Sequence, residues 1–375
     1  MKPIALFLPS LGGGGAERVM ATLARAFDQR GRRVDLLLGV AAGPHLKDVP
    51  PSVRVIDLGA HRALTAVAPL RRYMARERPS AMLATLTHAN VAAVWARALS
   101  SYRPRLVLRE AVTLTAIDRA HPDLRDRVLP RMVRATYPSA DAIVTVSEGV
   151  ARSLSEVTRL PPGRITVIYN PTIGPDVAER CARPVDHPWF DRGGPPVILA
   201  VGRLTEQKDF ATLLRAFALV RARREARLVI LGEGEARPAL TALATELGIA
   251  ADVGLPGFVR DPYPYLARAA LFVLSSAWEG LPNSLIEALA AGCPVVSTDC
   301  PSGPREILVG GRYGTLVPVG DSRVLAEAVL AVFDAPVDRS SLRGRASDFS
   351  VDRVADRYLE VLEPAGAVLP AAVAG

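Results

Sequence analysis

Short apolar runs alternate with amphipathic helical patterns along nearly the whole chain. Runs that are apolar at almost every position are typical of strands buried on both faces, and such strands belong to parallel sheets covered by helices on both sides. In the first half these runs are IALFL (4–8), VDLLLGV (34–40), VRVIDL (53–58), AMLATL (81–86), RLVLR (105–109), AIVTV (142–146) and ITVIY (165–169). The sequence therefore predicts a doubly wound α/β fold.

A second series of apolar runs follows a break in the pattern. The break, at residues 171–196, is rich in proline, glycine and charge, which indicates a linker. The later runs are VILAVG (197–202), RLVILG (227–232), LFVLSS (271–276), PVVSTD (294–299) and GTLVPV (314–319). We therefore predict two Rossmann-like domains, over residues 1–180 and 190–348, that face each other across a cleft. The Ala/Pro-rich tail, residues 364–375, is expected to be flexible.

Basic residues are concentrated in the first half of the chain. Residues 1–190 contain 27 Lys and Arg and 16 Asp and Glu, a net charge of +11. Residues 191–375 contain 19 Lys and Arg and 22 Asp and Glu, a net charge of −3, so the whole chain has a net charge of +8. A basic domain favours an anionic partner such as a membrane surface or nucleic acid, although an arginine-rich coding bias explains the same charge. No nucleic-acid-binding module is recognisable, and aromatic residues, at 5%, are few. We expect no nucleic acid.

Cysteine usage and the N-terminal sequence indicate the compartment. Cys181, Cys293 and Cys300 show no CxxC spacing, which is typical of a reducing environment and disfavours a zinc site. The start, MKPIALFLPS, is too short and too weakly charged for a secretory signal. No apolar run reaches the length of about 18 residues that a membrane helix needs. We therefore expect a cytoplasmic protein.

Two glycine-rich loops follow predicted strands. In GGGG (12–15) the last three, Gly13, Gly14 and Gly15, allow a ligand to approach backbone N–H groups closely, although a tight turn explains the same glycines. Neither this loop nor LGEGEARP (231–238) completes the G-x-G-x-x-G pattern, because Glu17 and Arg237 stand where the third glycine would be. An NAD-dependent dehydrogenase is therefore the weaker alternative.

The loop GRLTEQKDF (202–210) contains two cations, Arg203 and Lys208. Only Lys2 and Lys47 are lysines among the other basic residues, so Lys208 indicates a need for a compact ammonium group. Two cations at a strand-to-helix loop suit a diphosphate. Solvated surface charge is the alternative interpretation.

The stretch WEGLPNSLIEALAAG (278–292) places Glu279 in a turn after a strand and Glu287 inside the next helix. Ser284 and Glu287 match a capping box, with serine at the N-cap and glutamate three residues later. A capping box does not explain Glu279. Because helix N-termini bind anions and carboxylates accept hydrogen bonds from hydroxyl groups, the combination indicates a ligand with phosphates and many hydroxyls, such as a nucleotide sugar.

This stretch resembles the E-x7-E motif of glycosyltransferase family 4, and the resemblance covers nearly the whole chain. The other segments that carry it are GGGGAERV, SEGVARSL (147–154), VIYNP (167–171), VGRLTEQKDF, GFVRDPYPYLARAALFVLSSAWEGLPN (257–283) and PVVSTDCPSGPREIL (294–308). The resemblance implies the GT-B fold, in which two Rossmann-like domains face a central cleft. It also implies that the last helix, residues 349–363, crosses back to the first domain.

The resemblance implies roles for individual residues. Arg203 and Lys208 would bind the donor diphosphate, and Glu279 would contact the donor sugar hydroxyls. His88 matches more loosely, as an acceptor-side or sugar-contacting residue, and a surface or packed histidine is an equal alternative. The implied substrate-binding residues are Gly13, Gly14 and Gly15 closing over the donor, Phe258 and Val259 flanking the base, Ser284 and Leu285 at the phosphate together with the neighbouring Asn283, whose role is not specified, Glu287 at the ribose, and Arg109 towards the acceptor.

The family transfers sugars with retention of anomeric configuration. The chain contains no D-x-D motif, so we expect catalysis without a metal or other cofactor, with cations neutralising the leaving group. CPSGPREIL and GFVRDPY resemble members that use UDP-sugars to build lipid-linked oligosaccharide, lipopolysaccharide or capsule. The resemblance therefore implies a UDP-sugar donor, a lipid-linked or polysaccharide acceptor, and a peripheral position on the inner face of the cytoplasmic membrane, with the basic domain on the anionic surface. A GT-B epimerase or phosphorylase is the alternative.

Overall fold

The computed structural model describes residues 2–114, 124–191, 193–335 and 337–364. Within them the chain divides into two compact units. The first comprises the residues up to Pro171 together with those from Val351 onward, and the second runs from Thr172 to Ser350. Each unit is built on one parallel sheet with helical crossovers, so the prediction of two doubly wound α/β domains is confirmed.

The sheet of the first unit has seven strands among the described residues, in the order β3-β2-β1-β4-β5-β6-β7. The strands are β1 Ile4–Leu8, β2 Val34–Leu38, β3 Arg54–Asp57, β4 Ala81–Thr85, β5 Arg105–Glu110, β6 Ala142–Thr145 and β7 Ile165–Val167. Every neighbouring pair is parallel. Each strand lies within a run that the sequence predicts, except that β5 extends one residue further, to Glu110.

The central strands of the first unit's sheet are buried on both faces, whereas the edge strand β3 is mostly exposed. Ile4, Leu6 and Leu8 of β1 pack into one hydrophobic cluster, and Ala5 and Phe7 pack into the other. This alternation follows from the two-residue period of a strand. The helices of this part of the chain are α1 Gly15–Gln29, α2 Val67–Glu77, α3 Thr87–Ala98, α4 Leu124–Thr136 and α5 Glu148–Thr158.

The sheet of the second unit has six strands among the described residues, in the order β10-β9-β8-β11-β12-β13. The strands are β8 Val197–Val201, β9 Arg227–Leu231, β10 Val253–Gly257, β11 Leu271–Leu274, β12 Val295–Thr298 and β13 Thr315–Val317. The apolar pattern does not predict β10, whose sequence VGLPG contains two glycines and a proline. Its register against β9 shifts between Gly254 and Gly257, as expected for such an interrupted strand.

The helices of the second unit precede, connect and follow these strands along the chain. They are α6 Val177–Ala182, α7 Phe210–Arg221, α8 Arg237–Glu246, α9 Tyr263–Arg268, α10 Asn283–Ala291, α11 Pro304–Ile307, α12 Ser322–Asp334 and α13 Arg339–Ala346. Helix α6 lies within residues 171–196, which the sequence predicts to be a linker. Arg180 of α6 pairs with Asp261 at 2.8 Å and stacks on the ring of Tyr263, so α6 is part of the second unit.

The last described helix, α14 Val351–Leu362, belongs to the first unit although it follows the second in sequence. Val354, Ala355, Tyr358 and Leu362 are buried in the same cluster as the residues of α1. The prediction that a terminal helix returns to the first domain is therefore confirmed. The predicted flexible tail lies, from residue 365 onward, outside the described residues.

Candidate active site

The strand order of the second unit reverses between β8 and β11, which lie side by side. Ligands of doubly wound sheets bind beyond the carboxyl ends of the strands at such a switch point. The loop after β8 carries Arg203 and Lys208, and the loop after β11 carries Glu279. The fold thus brings together the two segments that the sequence singles out separately.

Lys208 and Glu279 form a direct ion pair at this switch point. Nζ of Lys208 lies 2.5 Å from Oε1 of Glu279, and the two side chains are 15% and 7% exposed. The same Oε1 accepts a hydrogen bond from Oγ of Ser276 at 2.7 Å, and Nε2 of Gln207 lies 3.5 Å from Oε2. Because the pair is largely withdrawn from water, its attraction is screened less than that of a surface pair.

Hydrogen bonds fix the two loops to each other around this pair. Oγ of Ser275 donates to the carbonyl of Lys208 at 2.7 Å, and the N–H of Ala277 donates to the carbonyl of Gln207 at 2.9 Å. The Gln207 amide in turn donates to the carbonyl of Trp278 at 2.9 Å. Both charged groups are therefore held in place before any ligand arrives, which is the preorganisation that a catalytic site needs.

The glycines of LGEGEARP allow a third loop to pack against this arrangement. A Cβ on Gly232 would lie 1.9 Å from the carbonyl oxygen of Gly202, and one on Gly234 would lie 2.3 Å from that of Leu204. The N–H of Leu204 also donates to the carbonyl of Glu233 at 2.8 Å. The glycines thus serve close loop packing, which explains them without a dinucleotide.

Three further predicted donor residues lie beyond strand ends of the second unit. The side chain of Arg203, after β8, is exposed. Phe258 and Val259 directly follow β10, where Phe258 is 60% exposed and Val259 is half-buried. An exposed aromatic ring presents a flat apolar surface on which a base can stack. Their contacts with a donor stay predictions.

The start of α10 differs from the predicted capping box. The helix begins at Asn283, its N-cap is Pro282, and no side chain makes a cap hydrogen bond there. Ser284 is thus already inside the first turn, and Glu287 is buried one turn further on, 3% exposed. The capping prediction is wrong because Pro282 takes the N-cap position. The N–H of Ser284 lies in the first turn, where the helix dipole favours an anion, whereas the N–H of Leu285 already donates to the Pro282 carbonyl at 3.2 Å. The contacts of Asn283, Ser284 and Leu285 with a phosphate stay predictions.

Two residues of the site are missed by the sequence analysis. Gln207 and Ser276 both contact the carboxylate of Glu279. Ser276 ends the LFVLSS run, and a polar residue at the end of a buried strand is the signal that could have identified it. Gln207 carries no such signal beyond its position next to Lys208.

The thiols near this region are not suited to nucleophilic chemistry. Burial raises the pKa of the Cys300 thiol to about 12, and the nearby Glu279 carboxylate acts in the same direction. Burial also raises the pKa of Cys293 to about 12. In the part of the chain that the structure describes, His, Cys, Asp and Glu side chains form no group of three or more that could hold a metal ion.

In the first unit the glycine loop joins β1 to α1. Gly13 has φ of +94°, a conformation that glycine adopts readily, and Gly14 is the N-cap of α1, which begins at Gly15. A Cβ on Gly14 would lie 2.3 Å from Oε2 of Glu17. The carboxylate of Glu17 thus covers the helix N-terminus, where a negative charge is favourable. The predicted closure of the loop over a donor stays a prediction.

His88 and Arg109 occupy opposite environments. His88 is exposed at the start of α3. Arg109 is completely buried, and its guanidinium donates to Oγ1 of Thr85 at 2.9 Å, Oδ1 of Asn170 at 2.6 Å and Oη of Tyr358 at 3.1 Å. A guanidinium without exposed surface does not reach an acceptor. We therefore correct the prediction for Arg109, which links β5 to α14; the role of His88 stays a prediction.

Two sequence-family models match the chain. "Glycosyltransferase Family 4" matches residues 13–172, and "Glycosyl transferases group 1" matches residues 195–335. The chain belongs to the family 4 glycosyltransferases. It is therefore a transferase, and the dehydrogenase, epimerase and phosphorylase alternatives are set aside.

Relatives and a solved structure match over almost the full length. The chain is 29% identical, over 92% of its length and 94% of the relative's, to an N-acetylgalactosamine-N,N'-diacetylbacillosaminyl-diphospho-undecaprenol 4-alpha-N-acetylgalactosaminyltransferase of Campylobacter jejuni. It is 29% identical, over 93% and 96%, to the lipopolysaccharide core biosynthesis glycosyltransferase LpsE of Rhizobium meliloti. The structure resembles that of Anabaena HepE in complex with UDP-glucose, with a TM-score of 0.76, 20% identity, and coverage of 96% and 99%. At that identity the likeness establishes the fold.

Proposed function

We propose that this glycosyltransferase moves a sugar from a UDP-sugar to a lipid-linked or polysaccharide acceptor in cell-envelope glycan biosynthesis, with retention of configuration and without a metal. The observation that carries the donor site is the Lys208–Glu279 pair, 2.5 Å apart, at the switch point of the second sheet. The half-buried ammonium of Lys208 can bind phosphate, and the carboxylate of Glu279 beside it can accept hydrogen bonds from hydroxyl groups, so the pair suits both parts of a nucleotide sugar.

Glu279 would orient the donor sugar. A carboxylate has about four lone-pair positions, so it can keep the bonds from Lys208 and Ser276 and also accept from sugar hydroxyls. The hydrogen bonds between the loops hold the carboxylate fixed while the sugar enters. Orienting the anomeric carbon in this way lowers the entropic part of the barrier.

Lys208 and Arg203 would stabilise the leaving diphosphate. Cleavage of the bond between the anomeric carbon and the phosphate oxygen leaves negative charge on UDP, and preorganised cations lower the free energy of that transition state. The N-terminus of α10, at Ser284, would add partial positive charge for the phosphate. Cations and helix N–H groups would thus do what a metal held by D-x-D does in other transferases.

The relatives and the charge of the chain support the acceptor class. The names of the two relatives specify a diphospho-undecaprenol acceptor and lipopolysaccharide core biosynthesis. The excess of basic residues in the first half favours an anionic membrane surface. No helix in the described parts of the chain is long and apolar enough to cross a bilayer. We propose peripheral attachment to the inner face of the cytoplasmic membrane.

Calorimetric titration with UDP, GDP and ADP in EDTA tests the donor site. We expect selective UDP binding by the wild type and binding weakened at least about tenfold in Lys208→Ala. Lys47→Ala is the matched control, because Lys47 is an exposed lysine of the first unit and its loss should leave UDP binding unchanged. Equal UDP affinity in the wild type and Lys208→Ala would overturn the assignment of Lys208.

Transfer from UDP-sugars to membrane extract tests the reaction itself. Glu279→Ala, Lys208→Ala and Arg203→Ala should each lower kcat/KM at least about tenfold, because each removes a group that acts on donor position or developing charge. The anomeric coupling of the product, measured by NMR, reports whether configuration is retained. An inverted product would contradict the proposed retention of configuration. It would not contradict the donor site, which the titration tests separately.

A further inference from the structure

The loop between β12 and α11, residues 299–303, is largely buried, although connecting loops usually run over the surface. We call it the supporting loop. Its residues Cys300 and Ser302 are only 4% and 7% exposed, and Gly303 is buried as well. Buried backbone groups need hydrogen-bond partners. Several of these partners lie in residues 276–282, the loop after β11 that carries Glu279.

The two loops contact each other in the same order along the chain. Oγ1 of Thr298, the last residue of β12, donates to the carbonyl of Ser276 at 2.6 Å. Further on, the N–H of Glu279 donates to the carbonyl of Pro301 at 2.6 Å, and the N–H of Ser302 donates to the carbonyl of Glu279 at 3.0 Å. The contacts thus continue in the direction of the parallel β11–β12 pair, and both backbone groups of Glu279 bond to the supporting loop.

The end of the supporting loop packs against the start of α10. Oγ of Ser302 donates to the carbonyl of Gly280 at 3.1 Å. Gly303 has φ of +99°, and a Cβ there would lie 2.7 Å from Cδ of Pro282, so glycine permits this close approach. Pro282 is the N-cap of α10. The supporting loop therefore holds the turn of Glu279 and the residue at which the next helix starts.

The side chain of Glu279 depends on the same contacts. Thr298 fixes the carbonyl of Ser276, and Oγ of Ser276 donates to Oε1 of Glu279 at 2.7 Å. The backbone of Lys208 belongs to a different loop, where its carbonyl accepts from Oγ of Ser275 at 2.7 Å. A change in the supporting loop would therefore displace Glu279 more than Lys208.

We propose that Thr298 and Ser302 are positioning residues that act through Glu279 and determine how the enzyme holds the sugar of its donor. The inference rests on the proposed function, in which Glu279 orients the sugar and Lys208 binds the diphosphate. A misplacement of about 1 Å can lower a rate about a hundredfold, so the loss of one fixing hydroxyl should measurably slow transfer. UDP has no sugar, and its binding should be nearly unaffected. If the loop only stabilised the fold, UDP binding and transfer would fall together.

Ser302→Ala and Thr298→Val test this in the full-length protein. The measurements are transfer to membrane extract from UDP-glucose, UDP-galactose and their 2-N-acetylamino forms, and calorimetric titration with UDP in EDTA. We expect kcat/KM to fall at least about fivefold while the Kd of UDP stays within about twofold. Thr298→Ser, which keeps the hydroxyl, should recover most of the activity. Ser297→Ala is the control, because this completely buried serine lies on the other face of β12 and donates to the Thr298 carbonyl at 2.9 Å; it should leave transfer and UDP binding unchanged.

The same variants in a Glu279→Ala background show whether the two residues act through the carboxylate. There Ser302→Ala and Thr298→Val should lower transfer no further, because residues that act as a unit are not additive. Losses as large as those in the wild-type background would overturn the inference. Equal losses of UDP affinity and transfer in Ser302→Ala, or an equal loss of transfer in Ser297→Ala, would overturn it too. A wild type that neither binds UDP nor transfers any of the sugars would instead count against the proposed function.

Discussion

The pairing of Lys208 with Glu279 changes how both residues are understood. The resemblance gives them separate partners, a diphosphate and a sugar, whereas the structure joins them at 2.5 Å with little exposure to water. In the protein without ligand, the interaction between the two charges therefore replaces the hydration that each would have in water. Removing one of them leaves a nearly buried charge without its counter-ion, which costs more than the pair contributes.

This asymmetry predicts the stability of single and double variants. Lys208→Met should lower the free energy of unfolding by at least about 2 kcal/mol, because it leaves the carboxylate of Glu279 without its ammonium partner. The double variant Lys208→Met/Glu279→Gln should recover a large part of that loss, since no buried charge remains. Urea unfolding of the four members of the cycle measures the difference.

Arg203→Met is the control for this cycle, because Arg203 is an exposed cation in the same loop. Its unfolding free energy should stay within about 0.5 kcal/mol of the wild type. A double variant that is no more stable than Lys208→Met would contradict the idea that an uncompensated charge causes the loss.

Residue-level prediction from the sequence succeeds where a residue type is rare in its context. Lys208 stands out in an arginine-rich chain, and Glu279 stands out because no cap explains it. Sequence alone does not reveal the partners of a buried group, because these come from elements distant along the chain. Arg109 shows the consequence: its position at a strand end favours a ligand role, yet Thr85, Asn170 and Tyr358 enclose it.

At the scale of elements, α10 illustrates how a local motif can mislead. Ser284 and Glu287 have the spacing of a capping box, but the helix starts two residues earlier than that box requires, at Asn283 after the N-cap Pro282. Pro282, with φ of −73° and ψ of 103°, has the extended conformation of an N-cap residue. The strand β10 is missed for a related reason, since glycine and proline interrupt its apolar pattern while pairing with β9 still forms it. Tertiary contacts decide both cases.

The absence of a cap at Ser284 gives a direct test at α10. Ser284→Ala should change the free energy of unfolding by less than about 0.5 kcal/mol, because no cap hydrogen bond is lost. Asp321→Ala is the matched comparison: Asp321 caps α12 by accepting from the N–H groups of Arg323 and Val324 at 3.1 and 3.0 Å. Its loss should cost about 0.5–2 kcal/mol. Equal costs in denaturant unfolding would restore the capping role of Ser284.

The contact between β5 and α14 is a second element-scale feature with a measurable cost. Tyr358→Phe removes only the hydroxyl that accepts from Nε of Arg109 at 3.1 Å. We expect a loss of about 1–3 kcal/mol in unfolding free energy, because a buried charged donor loses a partner. The KM for acceptor should stay unchanged in the folded enzyme. A raised acceptor KM without loss of stability would return Arg109 to the acceptor side.

At the scale of the whole molecule, the two units differ in how the chain builds them. The second unit is continuous from Thr172 to Ser350, whereas the first is completed only by the C-terminal helix. Ion pairs of Arg30 with Asp352 and Asp356 hold α14, but both aspartates are well exposed, so each pair contributes at most about 1 kcal/mol. Burial of Val354, Tyr358 and Leu362, at about 1.5–3 kcal/mol each, is the larger contribution.

This difference predicts opposite behaviour of two fragments. Residues 172–350 should fold cooperatively alone and keep measurable UDP affinity, because Arg203, Lys208 and Glu279 all lie within them. Residues 1–171 should be unstable, since loss of about 4–9 kcal/mol of apolar burial by α14 is comparable to the total stability of about 5–15 kcal/mol of a typical domain. Circular dichroism and urea unfolding of both fragments measure their stability.

Adding a peptide of residues 350–364 in trans should restore cooperative unfolding of the first fragment, and a peptide with Tyr358→Asp should not. A stable fragment 1–171 without the peptide would mean that α14 covers the first unit without holding it together.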